Sequence, residues 1–394
     1  MSGKDELSTP LTAVAELSEK ALDNANSVLK SGQLFRYGEN TSDGQFVAKL
    51  ETEFAKYHNT KYSVGVNSGG SAMYVALISA GVTKDDVVLL NSFTLAPVPG
   101  ALENIGCKIK LVEINENLIV DVIDLESKIK LHKPKAFLLS HMRGHFGDLE
   151  EIQKLCKEHG VLLIEDCAHT LGGEWNGKKT GTFGIAGCFS LQTYKQINAG
   201  EGGIIITDDE DLAAKAILYS GSYGLHHQNG NAPSKEVFAK YEGMIPNYSL
   251  RLNELAAAVS LPQLDSLESI NNKWNNIYST IQNHLQHENI RFPDINPKVK
   301  QAPTSIQFFL DYPSERIVEI LKNCERNGLK IKWFGAPKAI GFTSTYKHWT
   351  YLDNKDLSQT DQLLAKLCDI RLPSTLTYKD CKTISSILLQ AIDD

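Results

Sequence analysis

The sequence predicts an α/β protein with a mostly parallel central sheet, helices on both faces of it, and a smaller α+β unit at the C-terminal end. Three observations predict this. Helical patterns alternate with short β-branched runs from about residue 45 to residue 265, as successive βα units require. Runs such as "VLLIED" are apolar on both faces, which suits a strand covered by helices on each side. After "RFPDINPKVKQAP" the periodicity changes.

Residues 1–44 read as a helical lead-in, with Gly32 and the "RYGEN" stretch as breakers. Residues 45–270 form the large domain. In it "KLETEFAKYH" is helical, "YSVGV" a strand, "SAMYVALISAG" a helix and "DVVLLN" a strand. The alternation continues through "CKIKLVEI", "AFLLSH", "LEEIQKLCKEHG", "VLLIED", "GCFSLQ" and "GGIIITD". One long helical pattern, Leu252 to His284, closes it. In the small domain, residues 271–394, "SIQFFLDY" is a strand, "SERIVEILKNCERNGL" a helix and "CKTISSILLQAI" a closing helix.

The 394 residues suit a large domain plus a smaller one. A formal charge of -7 argues against nucleic acid or an anionic membrane as the main partner. No apolar run approaches the ~18 residues of a membrane span, and "MSGKDELSTP" carries no secretory pattern. The seven cysteines are never spaced C-x-x-C, so they read as reduced core cysteines of a cytoplasmic protein, with no zinc site.

One apparent motif fails. "GGEWNGK", Gly172 to Lys178, approaches a phosphate-loop pattern, but Lys179 stands where a magnesium-binding hydroxyl belongs. The preceding "AHTLG" also looks helical where a strand is required. A basic surface hairpin is the simpler reading.

Three features point to chemistry when taken together. "VGVNSGGSAM" is a strand, a glycine-rich turn and a helix start, and free N–H groups there favour an anion such as a phosphate. Asp166 ends an apolar strand at the edge where open α/β folds bind ligands. There it is either a helix N-cap or the partner of a cation such as a pyridinium nitrogen. Lys195 lies just beyond the strand "GCFSL", five residues after Ser190 and before a Gly-Glu-Gly-Gly turn. Desolvation at that edge lowers a lysine pKa and makes the amine nucleophilic. An anion site, an acid and a lysine in this order are what a pyridoxal phosphate enzyme needs.

On these residues the chain resembles the sugar aminotransferase family of the DegT/DnrJ/EryC/StrS type, within the aspartate-aminotransferase fold (fold type I). The matching stretches include "FVAKLETEFAKYH", "VGVNSGGSAMYVAL", "VLLIEDCAHTLGGEWNGKKTGTFG", "CFSLQTYKQINAGEGGIIITDD" and "NYSLRLNELAAAV". They cover most of residues 45–265, whereas the C-terminal third matches loosely. The resemblance implies pyridoxal 5′-phosphate, with Lys195 as the Schiff-base lysine and proton shuttle. It implies Asp166 at the pyridine nitrogen, His169 near the phenolic oxygen, and Gly69, Gly70, Ser71 and Ser190 at the phosphate. Asn247 corresponds to an asparagine sent across a dimer interface, so a homodimer with shared sites is implied.

Three positions depart from the family. Gly70 stands where a threonine is common. Leu95 stands where an aromatic ring usually stacks on the cofactor, so stacking there depends on whether Phe93 substitutes. Arg143 stands where an aromatic residue is frequent; its guanidinium suits either a substrate carboxylate, on the amino donor or on a sugar-acid acceptor, or an ordinary surface or interface salt bridge. The expected activity is transfer of an amino group from glutamate or glutamine to a keto or aldehyde sugar. A dehydratase of the same fold, in which histidine replaces the lysine, and a cofactor-binding sensor without turnover are the alternatives.

Overall fold

The computed structural model describes residues 7–38, 45–352 and 357–394. The opening "MSGKDE" and the last two residues of "RYGEN" lie outside them. The first half of the chain runs α1 (Glu19–Ser31), α2 (Phe46–His58), β1 (Tyr62–Val66), α3 (Gly69–Ser79), β2 (Val87–Asn91), α4 (Pro97–Ile105) and β3 (Lys108–Val112). It continues with α5 (Val122–His132), β4 (Ala136–Ser140), α6 (Leu149–Glu158) and β5 (Leu162–Asp166). A hairpin, β6 (Glu174–Trp175) and β7 (Lys178–Lys179), precedes β8 (Ala186–Ser190) and β9 (Gly203–Thr207). Then come α7 (Glu210–Ser220), α8 (Lys235–Ala239), α9 (Glu254–Asp265) and α10 (Leu267–His284).

The central sheet has seven strands in the order β1-β9-β8-β5-β4-β2-β3. Every strand except β9 runs in one direction, and β9 is antiparallel to both its neighbours. The connection agrees with this: residues 191–202 join β8 to β9 without a helix, whereas parallel neighbours are usually joined by a helical crossover. The carboxyl ends of β1, β4, β5 and β8 therefore meet along one edge, with Ser140 paired to Asp166 and Asp166 to Cys188.

The lead-in is less helical than expected. Gly32 ends α1 at φ 69°, but residues 7–18 carry no helix. Instead, Ser8 and Thr9 bind the Asp380 carboxylate with hydroxyl contacts of 2.7 and 2.9 Å. Arg36 makes two 3.0 Å hydrogen bonds to Glu51, with both side chains buried. The long pattern from Leu252 to His284 also divides: α9 and α10 meet at Ser266 (φ −98°, ψ 2°). Apolar spacing runs through this corner, so periodicity does not reveal it. "AHTLG" is a pair of turns, not a helix. "GGEWNGK" does form a hairpin, turning at Asn176 and Gly177 with φ 51° and 80°, the left-handed pair that a two-residue hairpin turn uses.

The C-terminal part contains β10 (Ile290–Arg291), β11 (Val299–Lys300), β12 (Ser305–Leu310), α11 (Ser314–Arg326) and β13 (Lys332–Trp333). It ends with α12 (Ser358–Leu364), β14 (Leu367–Arg371) and α13 (Tyr378–Asp393). Its sheet is antiparallel, ordered β10-β12-β14-β13. Its core packs α10, α11 and α13 through Ile281, Ile320, Ile384 and Leu388. All seven cysteines are buried and unpaired. Among the described residues, no helix is long and apolar enough to cross a membrane.

Candidate active site

A cavity of about 430 Å³ opens at the carboxyl edge of the large sheet, bounded on its far side by residues of β13, β14 and the 341–344 loop. Eight of the ten expected residues line it: Gly69, Gly70, Leu95, Arg143, Asp166, His169, Ser190 and Lys195. Ser71 and Asn247 do not. Asn247 lies by Gly221, where its Oδ1 accepts from the Ser249 N–H at 2.9 Å.

The anion-ready corner is the start of α3. Ser68 caps it, its Oγ accepting the Ser71 N–H at 3.0 Å and lying 2.9 Å from the Ser71 hydroxyl. Ser71 is thus committed to the cap, while the first N–H groups of the helix have no partner within it. Gly69 is required by packing: a Cβ there would lie 2.8 Å from the Ser190 Cβ. Gly70 is roomier, with its nearest neighbours 3.8 Å away.

Asp166, 4% exposed, ends β5 beside β4 and β8. Its Oδ2 accepts the Ser140 hydroxyl at 2.7 Å, which in turn accepts the Thr94 hydroxyl at 2.8 Å. Its Oδ1 accepts the Ala168 N–H at 3.1 Å. No helix follows, so the N-cap reading falls. The adjacent Glu165 points to the other face, where it binds His141 at 3.0 Å and the N–H groups of Gly181, Phe183 and Gly184. Cys167 shares that corner within 4.8 Å, and the saturated carboxylate pins the 181–184 loop beneath the cavity.

Lys195 Nζ lies 2.9 Å from His169 Nε2. Burial, then repulsion by Arg143 and Lys332, brings the lysine down to about 7 against the attraction of Asp166. Burial and the same cations, with Lys195 itself, hold the His169 imidazole well below its ordinary value. The imidazole is therefore neutral beside an amine poised to lose its proton. Leu95 lines the cavity. Phe93 does not substitute for a stacking ring: it is 1% exposed and packs edge-on against Phe334 with centroids 5.2 Å apart.

The far wall brings in groups that the sequence did not point to. Asp369, fully buried on β14, binds Arg143 at 3.3 Å and Lys332 at 3.0 Å. It also accepts from the Gln307 amide at 2.6 Å. Burial alone would raise this carboxyl; Arg143 and Lys332 outweigh it and hold it at about 2. Arg371 lies 3.5 Å over the Tyr194 ring, and both line the cavity. The available signal was one acid inside the apolar run "LCDIRL", since a buried acid is rare unless paired.

The sheet and the convergence of a lysine, an acid and a helix start at its carboxyl edge define a fold-type-I aminotransferase scaffold. The chain belongs to the DegT/DnrJ/EryC1/StrS aminotransferase family, whose sequence pattern matches residues 16–389 and so includes the C-terminal third. It is similar to GDP-perosamine synthase of Vibrio cholerae, 32% identical over 231 residues, 58% of this chain and 60% of that protein. It is likewise similar to GDP-perosamine synthase of Escherichia coli O157:H7, 30% identical over 259 residues, 64% and 68% of the two chains. Among solved structures, 3-amino-5-hydroxybenzoic acid synthase shares the fold with a TM-score of 0.82 at 21% identity, over 97% of this chain and 98% of the other.

Proposed function

We propose that the protein is a pyridoxal 5′-phosphate-dependent aminotransferase that moves an amino group from glutamate or glutamine to a keto or aldehyde carbon of a sugar or sugar acid. The observation that carries this reading is the approach of Lys195 and Asp166 to one cavity whose third corner is the start of α3. These residues fit the cofactor chemically. Gly69, Gly70 and Ser190 surround a helix start suited to a phosphate, Asp166 is a buried carboxylate suited to a protonated ring nitrogen, and Lys195 is an amine within the same space. Ser71 supports the phosphate corner through the Ser68 cap.

When bound, the cofactor supplies an aldehyde for covalent capture of amines and a ring that accepts electrons. The protein residues do the rest. Lys195, whose amine is brought down to about 7 and is therefore partly free near neutral pH, would be the nucleophile toward that aldehyde and would take and return a proton at Nζ. His169 Nε2, 2.9 Å away, orients that amine. Ser140 and the Ala168 N–H hold the Asp166 carboxylate in a fixed direction. Leu95 and Arg143 face the substrate. Two half-reactions, donor and then acceptor, share this one cavity.

Asn247, away from its own cavity, supports a homodimer in which it reaches the partner's site, and the exposed Tyr223 and Met244 nearby supply apolar surface for that contact. Buried, unpaired cysteines support a reducing compartment, the cytoplasm. Borohydride reduction with pyridoxal phosphate should label the peptide Phe189–Asp209 at Lys195, and glutamate should shift the absorption of the loaded protein. Failure to label removes the assignment. A labelled protein whose spectrum ignores every donor is a sensor instead.

A further inference from the structure

We propose that Arg143 and Lys332 form a subsite for a carboxylate carried by the sugar acceptor, with Asp369 as the positioning residue that holds both cations. The proposal rests on the aminotransferase reading and names the class of acceptor: a keto or aldehyde sugar acid.

Charge count is the first support. Among the described residues, Arg143 and Lys332 both pair with the single carboxylate of Asp369, so this trio carries one net positive charge. Arg371, lining the same wall, adds another. The cations are close enough to repel one another: Arg143 and Arg371 both act on Lys332.

Hydrogen-bond capacity is the second. Arg143 is 9% exposed, yet its Nε has no hydrogen-bond partner among the described residues. A buried donor left unmade is costly, and a carboxylate presented edge-on to a guanidinium uses two parallel N–H groups. The remaining contacts do not saturate it: Nη2 faces Asp369 at 3.3 Å and donates to the Phe342 carbonyl at 3.2 Å.

Backbone geometry is the third. Arg143 sits at φ 58°, ψ 15°, a left-handed conformation that an arginine adopts only where its surroundings hold it there. Gly144 follows at φ 89°, and the kinked Arg143 lines the cavity. Beneath it, Gln307 and His145 (2.8 Å apart) brace Asp369 from the side away from the cavity. The acceptor is the occupant assigned here, and the glutamate arm of the test separates it from the donor.

The test uses full-length protein loaded with pyridoxamine phosphate. Binding of D-glucuronate, D-galacturonate and 2-keto-D-gluconate is measured by calorimetry against glucose, galactose and fructose. Wild type should bind at least one acid about 10-fold or more tighter than its neutral counterpart, the scale of a charge-assisted hydrogen-bonded pair. Arg143→Leu and Lys332→Met should each abolish that preference, read as the ratio of acid to neutral-sugar affinity in the same variant. Arg143→Lys, which keeps charge but loses the fork, should retain part of it. Asp369→Asn should weaken the acid and spare the neutral sugar, a selectivity that loss of folding alone would not produce. A separate arm follows the glutamate-driven spectral change of the pyridoxal form. No preference in the wild type, a preference kept in both variants, or a loss confined to the glutamate arm overturns the proposal. Failure of Lys195 to be labelled would instead overturn the aminotransferase reading, so the two failures are distinguishable.

Discussion

Lys195 Nζ and His169 Nε2 approach to 2.9 Å, although 26 residues separate them in the chain. The contact exists because β5 and β8 are parallel neighbours, so the turns leaving their carboxyl ends face each other across the same edge. It joins a lysine and a histidine that are both pushed toward their neutral forms.

Covalent capture of pyridoxal phosphate by the apoprotein should rise with pH through about 7, well below the range of a free lysine. The sign is fixed by the lowered value: the amine is protonated and unreactive below it, and free above it. Arg143→Leu removes one repelling cation and should move the midpoint upward. Stopped-flow absorbance across a pH series measures both.

Arg36 and Glu51 are a buried bidentate pair, each with 1% side-chain exposure. Glu51 also accepts the Gly65 N–H at 2.8 Å and the Gly230 N–H at 3.0 Å, joining α2 to β1 and the 230 loop. Arg36→Met leaves that carboxylate buried without its cation, so stability should fall by about 3–5 kcal/mol. Urea unfolding checks this.

Adjacent glycines should respond in opposite directions. Gly69→Ala drives a Cβ to 2.8 Å from the Ser190 Cβ, so it should lose about 1–3 kcal/mol and weaken pyridoxal phosphate binding. Gly70→Ala meets only contacts of 3.8 Å and should gain about 0.4–1 kcal/mol. Unfolding curves and cofactor titration on both variants separate the two effects.

Acid should destabilise the fold through its buried histidines. Burial lowers His58 to about 3 and His145 to about 4. For a histidine whose folded value lies below its unfolded one, the unfolded chain binds more protons in the interval, so stability falls as pH drops from about 6.5 toward 4. His145→Gln should flatten that decline, read as unfolding midpoints against pH.

The parts of the site carried by contiguous chain were readable in advance. Strand, glycine turn and helix start around Gly69, the strand-ending Asp166, and Lys195 after Ser190 are each local patterns. The resemblance supplied His169, and Arg143 and Leu95 as departures; all three line the cavity. What escaped had no local mark. Lys332, Asp369 and Arg371 sit on short strands, β13 and β14, whose pairing comes from the antiparallel small sheet. Phe93 and Leu95 lie two residues apart in one segment, and only packing against Phe334 decided which faced the cavity. The corner at Ser266 was invisible because apolar spacing continued on both sides of it.

Periodicity, glycine placement and the apolar character of strands, all properties of neighbouring residues, were enough to define the α/β class, the helix starts and the edge where chemistry gathers. Interactions between groups distant in the chain were not. The pairing of Arg143 with Lys332 through Asp369 and the depressed basicity of Lys195 depend on burial and on separations of a few ångströms. Those are created when sheet order and side-chain packing bring the two sheets together, and electrostatic energies at such range change too steeply with distance for spacing along a sequence to encode them.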